Sequence, residues 1–346
     1  MTVKCMAGID LHSNNLFCAI MDLEGKRVFE KKLPCELESV LLALKPFKRR
    51  LEKIAVESTY NWYWLVDGLQ DAGYPVVLAN PAAMEQYNGL KHADDKSDGF
   101  FLAEMARLNI LPTGYICDRT IRPVRDLLRR RMGLVQKRTG LMLSLKSLHT
   151  RMTGRDLSTG RIKGLAPPDA DQLFDHPADQ LIARLDLQLV EQLGRSIQEI
   201  ETRILAEAKR MPRYQVLQTM PGVGRILGLT IMLETVDPQR FAGPGDYASY
   251  CLCVDSRRMS NGKKKGENNS KCGNKYLAWA FVEAANFAQR HDPACRKFYD
   301  RKKAQVNGIV ATKALACKLA KAAWHMMSHH TPYDGGRMFP KVKMSQ

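Results

Sequence analysis

The chain has 346 residues, of which 45% are hydrophobic, so it holds enough apolar material for two or three folded domains. Its 53 Lys and Arg residues against 36 Asp and Glu residues leave a net charge of +17, which favours a polyanionic partner, with nucleic acid first. No apolar run approaches the roughly 18 residues of a membrane-spanning helix, and the first residues lack a signal-peptide pattern. We therefore expect a cytoplasmic protein without a membrane partner.

Strand and helix signals alternate along the first hundred residues. Three period-two stretches predict a meander of short strands, and each of two further strands follows a helical pattern. A last helix begins near Asp95. The predicted strands are "CMAGIDL", "NLFCAIMDL", "RVFEKKL", "KIAVEST" and "YPVVLANP". This order predicts an α/β ribonuclease-H-like fold, in which parallel strands extend an antiparallel meander.

The segment between Arg119 and Arg155 predicts a long basic amphipathic helix with leucines on one face. Cations outnumber acids there, and a row of like charges repels itself unless an anion lies opposite, so we expect phosphate contacts. The alternative is a solvated helix face. The expected nucleic-acid contacts on this helix are Arg122, Arg125, Arg129, Arg130, Arg131, Lys137 and Arg138.

Leucine or isoleucine recurs every three or four residues from Leu181 to Ile204, after a proline-containing linker. This pattern predicts a helical coiled-coil segment, with dimerisation and packing within its own domain as the two interpretations. Further on, "MPGVG" places Gly222 and Gly224 in a turn that opens an apolar helix, where free N–H groups can hold a phosphate. The predicted domains are 1–155 with the basic helix, 156–210 with the linker and coiled coil, a mostly α-helical 211–330, and a polar tail at 331–346.

Four acidic residues carry the predicted chemistry. Asp10 ends the first strand and Glu57 ends the fourth, and these strands are neighbours in the proposed sheet, so both carboxylates emerge at one edge. Asp95 and Asp98 are three residues apart and share one helix face. Converging carboxylates raise one another's pKa, and a divalent cation removes that penalty. Oxygen ligands favour Mg²⁺ or Mn²⁺, ions that can clamp a phosphodiester during in-line displacement.

Two sets of motifs resemble one known family. "GIDLH", "AVEST" and "DDKSDGFFLAEMARL" resemble the D-E-D-D tetrad of insertion-sequence transposases of the family numbered one-ten, kin of the Piv-type DNA invertases. The third motif has Gly99 where Ala is commoner in the family. "TMPGVGRILGLTIMLE" and "GDYASYCLCVDSRRMSNGKKKGENNSKCGNKYL" resemble the carboxy-terminal transposase domain of the same family.

The resemblance implies a bridge-RNA-guided DNA recombinase in which a RuvC-like domain acts with a carboxy-terminal domain. A serine of that second domain would attack the DNA and form a phosphoserine intermediate. Ser260 in "MSNGKKKG" matches the family motif, with Ser270 as second choice. The implied partners are donor and target DNA, a structured bridge or seeker RNA, and further subunits in a tetramer, a dimer of dimers, at the bacterial or archaeal nucleoid. The lysines that would then position the DNA backbone are Lys263, Lys264, Lys265 and Lys271.

Two alternatives stay open. A RuvC-like junction endonuclease would use the same acids but attack the phosphodiester with water, so Ser260 would be dispensable for cleavage. A non-catalytic nucleic-acid-binding protein would account for the positive charge. It would not account for four acids at one sheet edge, because unpaired converging carboxylates destabilise a fold.

Overall fold

The computed structural model describes residues 3–84, 95–209, 211–254, 258–266 and 272–339. The chain forms two compact units. The sheet unit comprises Met1–Arg119 with Ser256–Cys272, and the helical unit comprises Thr120–Asp255 with Gly273–Gln346. The predicted domain division at residues 155, 210 and 330 stays a prediction, and the compact units part after Arg119.

A six-stranded mixed sheet forms the centre of the sheet unit, with the strand order β3-β2-β1-β4-β5-β6. The first three strands pair antiparallel, β4 is parallel to β1, β5 is parallel to β4, and β6 is antiparallel to β5. The five predicted strands and the adjacency of the first and fourth are confirmed, whereas the two-residue β6 was not predicted. The strands are β1 (Cys5–Leu11), β2 (Asn15–Asp22), β3 (Arg27–Pro34), β4 (Leu51–Glu57), β5 (Val76–Ala79) and β6 (Thr113–Gly114).

Helices α1 (Leu37–Leu44), α2 (Tyr63–Asp71) and α3 (Asp95–Arg107) cover the sheet. Odd-numbered residues of β1 pack with α1 and α2, whereas Met6 packs with α3, because alternate strand residues face opposite sides. Gly8 lies directly under α3: a Cβ there would collide with the Gly99 carbonyl oxygen and lie 2.6 Å from the Ala103 nitrogen. Only a residue without a side chain permits this approach, which brings the first turn of α3 to the end of β1.

Two helices of 32 residues each dominate the helical unit: α4 (Arg122–Thr153) and α6 (Pro177–Ala208). They pack antiparallel, since Leu128 shares a core with Ile204 while Leu145 shares one with Leu187. Both predicted long helices are confirmed as helices. The face of α6 that packs within the chain consists of Ala183, Leu187, Val190, Ile197 and Ile204. Three leucines of the predicted repeat, namely Leu181, Leu185 and Leu189, are exposed instead.

The rest of the helical unit is a bundle with an alanine-rich core. Ala284 and Ala288 of α10 (Lys275–His291) and Ala316 and Ala320 of α12 (Gly308–His329) are fully buried, so their helices approach closely. None of the helices in the described residues is long and apolar enough to cross a membrane. The remaining elements are α5 (Thr159–Gly164), α7 (Pro212–Leu217), α8 (Arg225–Thr235), α9 (Pro244–Tyr250), β7 (Arg258–Ser260), β8 (Lys263–Gly266), α10 (Lys275–His291), α11 (Pro293–Gln305), α12 (Gly308–His329) and α13 (Gly335–Met338).

Candidate active site

Asp10 is a buried carboxylate, only 3% exposed, one residue before β1 ends. Asp10 alternates along β1 with Met6 and Gly8 on the same face, so it lies on the side of the sheet that α3 covers. The Oδ2 atom lies 3.0 Å from Nε2 of His12 but has no hydrogen bond of good geometry to any residue that the structure describes. His12 is thus a close neighbour of this acid. An acid with so little solvation requires a further positive or hydrogen-bonding partner.

Glu57 ends the parallel strand β4 and is half-buried beside Asp10. Desolvation raises its pKa to about 7, and the hydrogen bond and charge of Asp10 and the charge of Asp98 act in the same direction. The charge of His12 has a smaller, opposite effect on this pKa. A carboxyl group that hydrogen-bonds another carboxylate must hold a proton, and with a pKa of about 7 Glu57 is partly protonated near neutral pH.

Asp98 lies in the first turn of α3 and lines a cavity of about 270 Å³ together with Glu57. The rest of the lining comes from Pro81 and Met84 after β5 and from apolar residues of α3. The structure thus brings two of the predicted acids, Asp10 and Asp98, within electrostatic range of a third, Glu57. Asp95 begins α3, but its side chain lies outside the described residues.

The donor set fits a divalent cation by its chemistry. Carboxyl groups converge on one cavity, one Asp10 oxygen has no regular hydrogen bond with the described residues, and Glu57 holds a proton that a cation would displace. Across the described side chains, no three His, Cys, Asp or Glu groups are already arranged as a metal site. Among the described acids, Asp10, Glu57 and Asp98 are the ones that could hold a metal ion.

The raised pKa of Glu57 predicts a stability that depends on pH and on metal. Between about pH 4.3, where an unfolded glutamate ionises, and pH 7 the folded chain binds more protons, so its stability falls as the pH rises. Without metal we expect the melting temperature to drop by about 2 °C across this window. Mn²⁺ should raise it more at pH 8 than at pH 6.

Differential scanning fluorimetry measures this dependence. Glu57→Gln cannot ionise and should flatten the metal-free pH profile, while Glu104→Gln, which removes a carboxylate paired with Arg107 on α3, should leave it unchanged. If the melting temperature of the wild type depends on pH as little as that of Glu57→Gln, this would contradict the raised pKa of Glu57.

Ser260 is the last residue of β7 and lies at the tip of a hairpin. It pairs with Lys263 across Asn261 and Gly262, whose φ angles of 49° and 72° are those of a type I′ turn, the turn for which Asn-Gly is the preferred sequence. Ser260, Lys263 and Lys265 are exposed. Ser270, Lys271 and the side chain of Lys264 lie outside the described residues.

The hairpin groups with the sheet unit, although it follows the helices of the other unit in sequence. Shortly after the hairpin, the Cys272 thiol donates a hydrogen bond of 3.2 Å to the carbonyl of Ala82. Ala82 lies between Pro81 and Met84, two residues that line the carboxylate cavity. The segment that carries Ser260 thus returns beside that cavity.

Comparison with known families covers both the four predicted acids and the segment that contains Ser260. A transposase model for the DEDD type of IS110 elements matches residues 7–152, and a model described as "Transposase IS116/IS110/IS902 family" matches residues 214–300. The first range includes all four predicted acids, and the second includes Ser260. The chain belongs to the IS110 family of transposases. It is accordingly an enzyme of DNA transposition.

Curated relatives agree with this assignment. The chain is 23% identical to the transposase for insertion sequence element IS1111A of Coxiella burnetii, over 95% of this chain and 91% of that protein. It is 22% identical to the transposase for IS1328 of Yersinia enterocolitica, over 95% and 98%. An uncharacterised 43.6 kDa protein of insertion element IS110 from Streptomyces coelicolor is 28% identical, but the chain spans 44% of its length.

In this IS110-family transposase, several cations of α4 are bound within the protein. Arg129 donates two hydrogen bonds, of 2.6 and 2.7 Å, to the carboxylate of Glu234, and Arg131 lies 2.7 Å from Glu201. Arg122 is buried. Arg129 and Arg131 thus have acids opposite them within the protein. Phosphate contacts stay a prediction for all seven cations, of which Arg130 and Lys137 are exposed and Arg125 and Arg138 half-buried.

Glu234 is a functional candidate that the sequence reasoning missed. It is 3% exposed, and its carboxylate also accepts a 2.7 Å hydrogen bond from the side-chain amide of Asn274. Asn274 caps α10 and donates its backbone N–H to Tyr250 at 2.7 Å. The two ends of the segment that carries Ser260 are therefore hydrogen-bonded to each other, and Asn274 at one end is held by this buried acid. The signal for Glu234 in the sequence is a lone acid at the end of the apolar run "ILGLTIMLE", just as Asp10 is a lone acid at the end of an apolar strand.

The "PGVG" turn of the transposase has a clear packing role. Gly222 has φ +79°, and a Cβ there would collide with the Ala284 carbonyl and lie 2.6 Å from the Ala288 nitrogen of α10. Gly224 precedes α8, is exposed and has open space around it. Gly222 is thus required for packing on α10, and phosphate binding at both glycines stays a prediction.

Proposed function

We propose that this transposase cuts and rejoins donor and target DNA with Ser260 as nucleophile and a RuvC-like carboxylate site that holds Mg²⁺ or Mn²⁺. One observation carries the proposal: the acids and the serine hairpin belong to the same compact unit. The hydrogen bond from Cys272 to Ala82, beside the cavity, supports it. The strand order and the helices on both faces of the sheet support a ribonuclease-H-like fold.

The chemistry follows from the types of residue present. When bound, a divalent ion polarises the phosphate and offsets the charge that develops on it. Asp10, Glu57, Asp95 and Asp98 would hold that ion. The Ser260 oxygen forms a bond to phosphorus as it loses its proton, the bond to the leaving DNA oxygen breaks, and that oxygen takes up a proton. Because a phosphoserine ester keeps a phosphoester bond, rejoining requires no ATP.

A structured guide RNA is the partner that would select the DNA sites. The net charge of +17 suits two polyanions, and exposed Lys263 and Lys265 beside Ser260 suit backbone contacts that fix register without reading sequence. Base pairing by the RNA would then supply the specificity. We place this activity in the bacterial or archaeal cytoplasm, where the nucleoid is accessible.

Covalent trapping on DNA tests the nucleophile. Wild-type protein with guide RNA, Mn²⁺ and labelled donor DNA should give a protein–DNA adduct after denaturation, with the linked peptide containing Ser260. Ser260→Ala should lose the adduct and strand cleavage by at least about a thousandfold while retaining DNA binding. Cleavage by Ser260→Ala would favour the water-using endonuclease. An adduct at Ser270, checked with Ser270→Ala, would move the nucleophile.

An uncovered apolar face supports assembly into dimers and a dimer of dimers. Leu181, Leu185 and Leu189 of α6 are each at least half exposed, at 53%, 51% and 51%. Leu143 and Met152 of α4 are also exposed, and the antiparallel pairing places them at the same end of the helix pair. A second copy would cover this face in a helical bundle with its own.

Charge placed on this face should separate the subunits. Leu185→Lys with Leu189→Lys is expected to lower the mass measured by light scattering to that of a monomer, because buried leucines at a helical interface contribute about 2 kcal/mol each. Gln198→Lys adds a cation at an exposed polar position of the same helix, away from the leucine face, and should leave the mass unchanged. An unchanged mass in the double variant would contradict the proposal.

A further inference from the structure

A cavity of about 470 Å³ lies in the helical unit, far along the chain from the acids. It opens between the carboxyl-terminal half of α12 and the residues that follow that helix up to α13. Its polar lining consists mainly of Lys318, Lys321, His325, His329, Asp334 and Arg337. A cavity of this volume is in the range of those that hold small ligands or parts of larger ones.

The charge of this cavity is positive. Lys318, Lys321 and Arg337 face a single carboxylate, that of Asp334. Asp334 is already occupied, because one of its oxygens accepts from the backbone N–H groups of Gly336 and Arg337 and the other lies 3.4 Å from the Arg337 guanidinium. The remaining ammonium groups therefore leave an excess of positive charge in a concave site.

Lys318 is held in place without a carboxylate. Its ammonium donates to the carbonyl of Met338 at 3.2 Å and lies 5.4 and 5.3 Å from the ring centres of Phe298 and Phe339. Aromatic faces and a carbonyl position a cation without neutralising its charge. The charge is thus directed toward the cavity at a low cost in side-chain entropy.

His325 and His329 add hydrogen-bond donors at the same wall. They are one helical turn apart, and their rings are nearly parallel, with centres 6.0 Å apart and an angle of 18° between the planes. Trp324 packs edge-on against both rings. Two imidazoles fixed side by side suit an acceptor with several oxygens.

We propose that this cavity binds a phosphate group of a nucleic-acid strand, as a contact site separate from the carboxylate centre. Phosphate supplies the charge and the several acceptor oxygens that the cations and imidazoles match. The cavity is wider than a bare phosphate requires, which leaves room for the adjoining sugar. The proposal does not depend on Ser260 or on strand cleavage.

Binding measured by fluorescence anisotropy tests the site with the full chain and a labelled oligonucleotide. Lys321→Ala with Arg337→Ala should weaken binding about tenfold and reduce the slope of affinity against salt by about one for each phosphate that the variant no longer neutralises. The matched control is Arg301→Ala with Lys303→Ala, which removes two exposed cations of α11 outside the cavity. Both altered positions of the cavity variant are exposed, so its melting temperature should match wild type.

Each outcome decides the proposal. A loss of affinity confined to the cavity variant supports it, and a further loss in His325→Ala with His329→Ala strengthens it. Equal losses in cavity and control variants would mean diffuse attraction and would overturn it, as would no loss in either. Inorganic phosphate serves as the last probe. If it raises the melting temperature of the wild type but not of the cavity variant, while both bind the oligonucleotide equally well, the ligand is a free phosphate rather than a strand.

Discussion

Asp10→Asn is expected to lower the rate of DNA strand cleavage by on the order of a thousandfold or more. The substitution keeps the shape of the side chain but removes the buried charge at the end of β1, next to Glu57 and His12. A metal that stabilises a phosphoryl transition state contributes several kcal/mol, and its loss has an effect of this size. Cleavage of labelled donor DNA in Mn²⁺ provides the measurement.

Binding and stability separate this effect from unfolding. Asp10→Asn should retain nucleic-acid affinity, and in metal-free buffer it should melt no lower than wild type because it relieves repulsion among the acids. Asp71→Asn removes an exposed carboxylate of α2 that pairs with Arg119, and it should leave cleavage unchanged. Full cleavage by Asp10→Asn would rule out the carboxylate site, and a wild-type protein that binds the DNA without cleaving it would favour the non-catalytic alternative.

Glu234→Ala is expected to lower the free energy of unfolding of the helical unit by about 3 kcal/mol. Burial opposes the charge on Arg129, but the hydrogen bonds and charge of Glu234 raise the pKa of Arg129 above its ordinary value. Alanine would leave that guanidinium, which also lies 4.7 Å from the Tyr276 ring centre, without its counter-charge. The amide of Asn274 would lose its acceptor as well. Urea unfolding followed by circular dichroism measures the change.

Two variants show whether the pair itself is responsible. Glu191→Ala removes an exposed carboxylate of α6 that is 3.7 Å from Arg195, and its cost should stay under about 0.5 kcal/mol. Arg129→Met combined with Glu234→Leu removes both charges and should recover much of the stability, since buried ion pairs contribute little beyond matched apolar packing. If Glu234→Ala lowers the free energy of unfolding no more than Glu191→Ala does, the contacts of Glu234 with Arg129 and Asn274 do not stabilise the helical unit.

Local patterns account for what the sequence predicted correctly. Strands β1 to β5 follow from short apolar stretches, and the position of Asp10 and Glu57 at neighbouring strand ends follows from the strand order. The two-residue β6 has no such pattern, because it forms only by pairing with β5. Helix α6 shows a further limit: its apolar residues form two overlapping stripes, and periodicity alone does not tell which stripe packs on α4.

Pairs that are distant in sequence account for what was missed. Arg129 and Glu234 are separated by 105 positions, so the sequence of the basic segment does not reveal that an acid of α8 lies opposite its cations. The need for glycine at positions 8 and 99 likewise becomes evident only in the folded chain, where α3 lies close on the sheet. His12 is close to Asp10 in sequence, but a strand end followed by polar residues does not fix the direction of its ring.

The segment that carries Ser260 is closed at its base. Tyr250 and Asn274 are hydrogen-bonded to each other, so its two ends are held together at the bundle. Doubling the length of a loop with joined ends costs only about 0.6 kcal/mol. A change in the length of this segment is therefore expected to cost the alanine-rich bundle little stability, even though the segment carries Ser260.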